Sequence, residues 1–160
     1  MHFKDRLKSI RSGGQSGVDR AALATAEKFN IKYTGYCPKG GWAEDMTEPP
    51  GIRKHYPELI ETESRDTEER TVRNVLESDA TLILFHEASP GTALTETTAE
   101  NAGKPLFIYD ENTRMDELSS WLFSLPCGID LNIAGPRESE SPGVFEKSAA
   151  VLEKVMNIKK

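Results

Sequence analysis

The stretch Ser12-Gly13-Gly14-Gln15-Ser16-Gly17 places three glycines within five residues, directly ahead of the alanine-rich run from Ala21 to Ala26. Glycine, serine and threonine just before a helix leave backbone N–H groups at the positive end of its dipole, which suits a phosphate or another oxyanion. Comparable loops recur at Cys37 to Asp45, at Ser89-Pro90-Gly91-Thr92 and at Gly135 to Gly143. That recurrence favours binding over simple packing for Gly13, Gly14 and Gly17. Gln15 and Ser16 are the side chains of the first loop able to cap a helix or touch a ligand. Neither G-x-G-x-x-G nor the G-x-x-x-x-G-K-[ST] P-loop is present, so no dinucleotide or NTPase fingerprint is carried. Cations that could balance an anion are Lys39, Arg70, Arg73 and Arg137. Arg20 stands between an ion pair and the ligand, and Asp19, in a first helical turn, reads as structural.

These loops need elements that bring them to one place. Short apolar runs at Ala80–Phe85 and Pro105–Tyr109 read as buried strands, with further strands at 129–134, 31–36 and 7–12. Helical stripes lie between them: Val18, Ala22, Ala26 and Phe29; Val72, Val75 and Leu76, with Asp66 and Glu69 in capping-box spacing; Leu118, Trp121, Leu122 and Leu125, capped from Thr113. Phe145, Ala149, Leu152 and Met156 form the last, started through Ser141-Pro142. Strands alternating with helices imply an α/β, three-layer Rossmann-like domain spanning residues 1–160, with a mostly parallel sheet and helices on both faces. In such a sheet all strand-to-helix loops emerge at one edge. The stretch from Cys37 to Pro57 reads as a long loop.

A net charge of −6 speaks against a nucleic-acid partner, and no run approaches the ~18 apolar residues of a membrane span. The N-terminus lacks a secretory h-region, and two distant cysteines fit a reducing cytoplasm. His2, His55 and His86 have no metal-ligand spacing, so no metal site is expected. Trp42, in a glycine-rich loop, is placed to stack on a flat heterocycle, whereas Trp121 belongs to a core stripe.

Seven segments in order, SGGQSGVDRAAL, CPKGGWAED, ELIET, RTVRNVLESDATLIL, GTALT, AGKP and NIAGPRESESPG, together resemble the molybdenum cofactor carrier family. That family is similar to the lysine-decarboxylase-like phosphoribohydrolases within the Rossmann-like superfamily. The resemblance implies a homotetramer that holds molybdopterin as cargo, with molybdoenzymes as partners and no covalent chemistry of its own. Its phosphate would lie on Gly13, Gly14, Gln15, Ser16 and Gly17, with Gly91 and Thr92 facing them and Lys39, Arg70 and Arg137 balancing charge. The phosphoribohydrolases carry P-G-G-x-G-T-x-x-E, whose glutamate works with an upstream arginine. Here Thr95 occupies the glutamate position and Glu96 falls one residue late, about 100° around a helix. The alternative reading is a small nucleotide-processing enzyme or nucleotide sensor of the same superfamily.

Overall fold

The structure, a computed structural model, describes residues 1–86 and 89–160. In chain order its elements are β1 (Leu7–Arg11), α1 (Val18–Lys28), β2 (Tyr33–Thr34), β3 (Tyr36–Cys37), β4 (Ile60–Glu61) and α2 (Thr67–Glu77). There follow β5 (Ala80–Leu84), α3 (Pro90–Ala102), β6 (Leu106–Tyr109), α4 (Met115–Ser124), β7 (Ile129–Ala134) and α5 (Val144–Met156). The main sheet has the order β2-β1-β7-β5-β6 with every neighbouring pair parallel. This is the α/β Rossmann-like architecture expected from the alternating pattern.

Strand alternation gives the sheet two unlike faces. Ile10, Leu82, Leu84, Leu131 and Ile133 join Val18 and Ala22 of α1, Leu118 and Leu122 of α4, and Val144 and Leu152 of α5 in one apolar core. The opposite face carries buried Ser9, Arg11, Thr81, Asp130 and Asn132. Arg11 reaches Asp130 at 2.8 Å, and Asn132 Nδ2 donates to Thr81 Oγ1. Helices α2 and α3 pack against each other over this polar side.

The strand expected over 31–36 is divided. At Gly35 (φ 138°) the backbone presses so close to Ser12 that a Cβ would overlap the Ser12 carbonyl, and the chain leaves the sheet there. Tyr36–Cys37 then pairs with Ile60–Glu61 in a separate two-stranded sheet. The expected loop from Cys37 to Pro57 is therefore partly ordered as strand and as two 3-10 turns, Lys39–Gly41 and Gly51–Lys54. Cys37, Ile52, Tyr56 and Leu59 close with Leu23 of α1 into a second apolar cluster. Burial pushes the Cys37 thiol up to about 11.

Three caps also differ from expectation. Asp66 makes no side-chain cap; Glu69 instead accepts the Ser64 N–H. Thr113 closes a turn with Asp110, and α4 starts from Arg114. Helix α5 starts after Gly143, and the Glu138 carboxylate accepts the N–H groups of Gly143 and Phe145. Among the described residues no helix is long and apolar enough to cross a membrane.

Candidate functional site

At the carboxyl edge of the sheet, a cleft of about 160 Å³ opens between α2 and α3. Its walls come from the loop after β1, from Thr67, Arg70, Thr71 and Asn74 of α2, and from Ser89 to Thr92 and Thr95 at α3. Asn132, Ala134, Gly135, Arg137 and Glu140 complete it from β7 and the loop beyond. Small-molecule sites are usually about 300–1,000 Å³, so the enclosed volume suits one end of a ligand.

The loop after β1 uses its own amides. Gly14 N–H donates to Ser12 Oγ (3.1 Å), Gln15 N–H to the Asp19 carboxylate (3.2 Å), Ser16 N–H to Gln15 Oε1 (3.0 Å) and Val18 N–H to Pro136 O (3.3 Å). Its glycines serve close approaches within the protein. A Cβ on Gly13 would overlap Arg70 Nη1, and one on Gly17 (φ 76°) would overlap the Pro136 carbonyl. On Gly14 (φ 77°) it would crowd Ile52 and Leu59 of the second apolar cluster.

Bare Gly13 thus seats the Arg70 guanidinium, whose Nη1 lies 2.8 Å from Asp19 Oδ2. Burial pushes the Asp19 carboxyl up, and the charge and hydrogen bond of Arg70 partly offset it. With Nη1 committed to Asp19, Arg70 Nε is buried without an acceptor. Gln15 is similar. Its Oε1 accepts the N–H groups of Ser16 and Glu44, which sets the orientation of the amide. Its Nε2 is buried and among the described residues meets no acceptor, although only 3% of the residue is exposed. Two unmet donors at one wall cost about 1–3 kcal/mol each until an acceptor arrives.

The start of α3 is built differently. Ser89 Oγ accepts the Thr92 N–H and donates to Thr92 Oγ1, and Pro90 occupies the first helical position, where no N–H is needed. Among the described residues, a Cβ on Gly91 would meet nothing within 4 Å. Arg137 stands at the mouth, held by Glu140 at 3.3 Å, with 42% of its side chain exposed.

Six of the residues singled out in the sequence therefore meet in one cleft: Gly13, Gln15, Arg70, Gly91, Thr92 and Arg137. The others point elsewhere. Ser16 Oγ accepts the Glu138 N–H, and Gly14 and Gly17 face the protein. Arg20 forms a two-pronged pair with Asp45 at 2.9 Å and is an ion-pair residue, its charge spent away from the cleft. Lys39 lies in a separate depression beside Glu61 and Glu63. Arg73 stacks 3.9 Å over the Tyr36 ring and reaches Glu77.

Residues that the sequence reading did not single out as binding groups are Asp19, Thr67, Thr71, Asn74, Thr95, Asn132 and Glu140. A signal existed for several: Thr67, Thr71 and Asn74 follow i, i+4, i+7 spacing, a polar stripe on α2. Asn132 shares with Asp130 the polar side of the alternating strand β7. Glu96, one residue beyond the glutamate position of the phosphoribohydrolase pattern, and Arg70 are both engaged elsewhere. Glu96 lies 2.8 Å from His86 Nε2, and Arg70 holds Asp19. Among the described residues no group of three or more His, Cys, Asp or Glu could hold a metal ion.

Residues 10–156, which carry both glycine-bearing loops and the whole cleft, match the pattern described as "Circularly permutated YpsA SLOG family". The chain belongs to that family. This SLOG chain is also 38% identical to a solved crystal structure from Syntrophus aciditrophicus SB, described as a "Putative molybdenum carrier protein". The likeness covers 93% of this chain and 94% of that one, with a TM-score of 0.82. Comparison with curated proteins gives no match. The family resemblance legible in the seven sequence segments and the α/β fold both agree with this neighbour.

Proposed function

We propose that the protein carries the molybdenum cofactor, holding the phosphate or oxo groups of a phosphorylated pterin in the cleft between α2 and α3. The observation that carries this reading is the pair of donors without acceptors among the described residues, Gln15 Nε2 and Arg70 Nε, in a cleft that is also lined by Gly91 at the start of α3. Donors without acceptors call for a ligand edge rich in oxygen. Arg137 adds a second cation at the mouth of a chain whose net charge is −6, so anion attraction is local. The described relative from Syntrophus aciditrophicus supports a molybdenum cargo. Gly14, Ser16, Gly17, Arg20, Lys39 and Arg73 then support the walls from outside the cleft. A homotetramer and handover to molybdoenzymes, in the cytoplasm, belong to the same proposal and rest on family resemblance.

Elemental analysis and native mass spectrometry of the purified protein test it, together with melting temperatures measured against molybdate, tungstate, AMP, GMP and a pterin phosphate. Carriage predicts co-purified molybdenum or pterin and the largest rise in melting temperature with pterin phosphate. Absence of both, with free base released from AMP or GMP, would overturn it in favour of the nucleotide-processing alternative.

A further inference from the structure

Trp42 has no part in either apolar core. It is only half-buried, belongs to neither cluster, and among the described residues makes no aromatic stack or cation–π contact. Trp121, the other tryptophan, is packed against Phe107 at 5.4 Å and joins the main core. The backbone on either side of Trp42 is nevertheless firmly held. Ala43 is fully buried and exchanges both hydrogen bonds with Met46, and Gly41 donates to Pro38 O. The next residue, Glu44, donates its N–H to Gln15 Oε1, so the indole is tied to the wall of the cleft.

The groove that Trp42 lines also contains Thr47, Arg65, Asp66, Thr67 and Arg137. Thr67 and Arg137 line the 160 Å³ cleft as well, so groove and cleft adjoin across these two side chains. Arg65 makes no ion pair among the described residues, and Asp66 caps nothing through its side chain. A half-buried indole outside both apolar clusters, on a backbone held at Gly41 and Ala43 and beside two arginines, has the chemistry of a stacking platform for a flat ring.

We infer that Trp42 forms an outer subsite, on which the aromatic ring of a phosphorylated heterocycle stacks while its oxyanion end occupies the inner cleft. This rests on the reading that the inner cleft takes an oxyanion, and it explains how a cleft of 160 Å³ serves a larger molecule. Arg65 and Arg137 flank the ring, Arg137 spanning both compartments. Thr47 and Asp66 supply hydrogen-bond acceptors at its edge.

The test compares wild type, Trp42→Ala, Trp42→Phe and Arg65→Gln by calorimetric titration with three probes: 6-hydroxymethylpterin monophosphate, inorganic phosphate and molybdate. Trp42→Ala is expected to weaken the pterin phosphate roughly tenfold or more, leaving phosphate and molybdate within twofold. Trp42→Phe should keep most of that affinity, and Arg65→Gln should weaken only the ring-bearing probe. Pterin phosphate should quench the fluorescence of wild type, and the quench should vanish in Trp42→Phe, where Trp121 alone remains. Unchanged pterin phosphate affinity in Trp42→Ala overturns the subsite. So does an equal loss for all three probes, which would make Trp42 a prop for its loop. A wild-type protein that binds none of the probes overturns the oxyanion reading itself, and the subsite falls with it.

Discussion

In the loop after β1 each glycine is pressed against protein: Gly13 against the Arg70 guanidinium, Gly14 against Ile52 and Leu59, Gly17 against the Pro136 carbonyl. At the start of α3, across the same cleft, the Cβ position of Gly91 is empty to 4 Å. The first loop has also consumed four of its amides in internal hydrogen bonds. What it offers a ligand is side-chain chemistry, Gln15 and the seated Arg70. The α3 start offers a bare Gly91, since Pro90 has no N–H and the N–H groups of Thr92 and Ala93 already donate to Ser89. Glycine before a helix has two unrelated uses, and only the far side of the missing Cβ tells them apart.

Substitutions that break this contrast should fall in a definite order. Gly17→Ala comes first, because it combines a strained φ of 76° with overlap on a backbone carbonyl. Strain and overpacking each cost about 1–3 kcal/mol, so urea unfolding should show a loss of roughly 3 kcal/mol or more. Next, Arg70→Ala leaves Asp19 charged and buried, a loss of about 3 kcal/mol. Gly13→Ala should act on the same pair by displacing the guanidinium, so in a double-mutant cycle with Arg70→Ala the two losses should fall well short of their sum. If they add in full, Gly13 has some role other than seating Arg70.

Smaller effects sharpen the comparison. Arg20, through its hydrogen bond, holds the Asp45 carboxyl below its ordinary value of 3.8. The ionised pair therefore stabilises the fold above that value, and the contribution is lost as pH falls through the lower folded value. Melting temperatures of wild type and Asp45→Asn should differ at neutral pH and converge on acidification below 3.8. Smallest of all, Gly91→Ala should leave stability unchanged or raise it by about 0.5–1 kcal/mol, since a helix gains from alanine. Its effect belongs to ligand affinity, read by the same calorimetric titrations with molybdate and pterin phosphate.

The sequence made the fold legible wherever a strand is buried on both faces or a helix has one apolar stripe. Strands β5, β6 and β7 and helices α1 and α4 lie close to where their apolar residues place them, although β6, read as buried, is a half-buried strand at the edge of the sheet. Tyr36–Cys37 and Ile60–Glu61 were not legible as a pair, because two-residue strands have no period to read. The cleft was half legible. Loop residues stand out by composition, and Gln15, Arg70 and Arg137 were visible in that way. Asn74 and Asn132 left only a weak trace, in the polar stripe of α2 and the alternation of β7, and neither pattern tells a residue lining a cleft from one facing water. Arg20 and Arg73 show the converse limit: a cation near a promising loop can have its charge taken by Asp45 or by Tyr36 and Glu77, at separations of tens of residues that no spacing rule reaches.

The central position of β7 bears on how the chain is made. It follows the other strands of the main sheet in the chain, yet it lies between β1 and β5 and bonds to both. Until it emerges, the pair β1–β2 and the pair β5–β6 have no shared hydrogen bonds, and each presents an open edge to other chains. The sheet is therefore completed by an insertion rather than an addition, at sequence separations that slow folding. A chain stopped before Ile129 should emerge as two unjoined half-sheets and depend on holdase chaperones, whereas one stopped after Ala134 should already close its sheet.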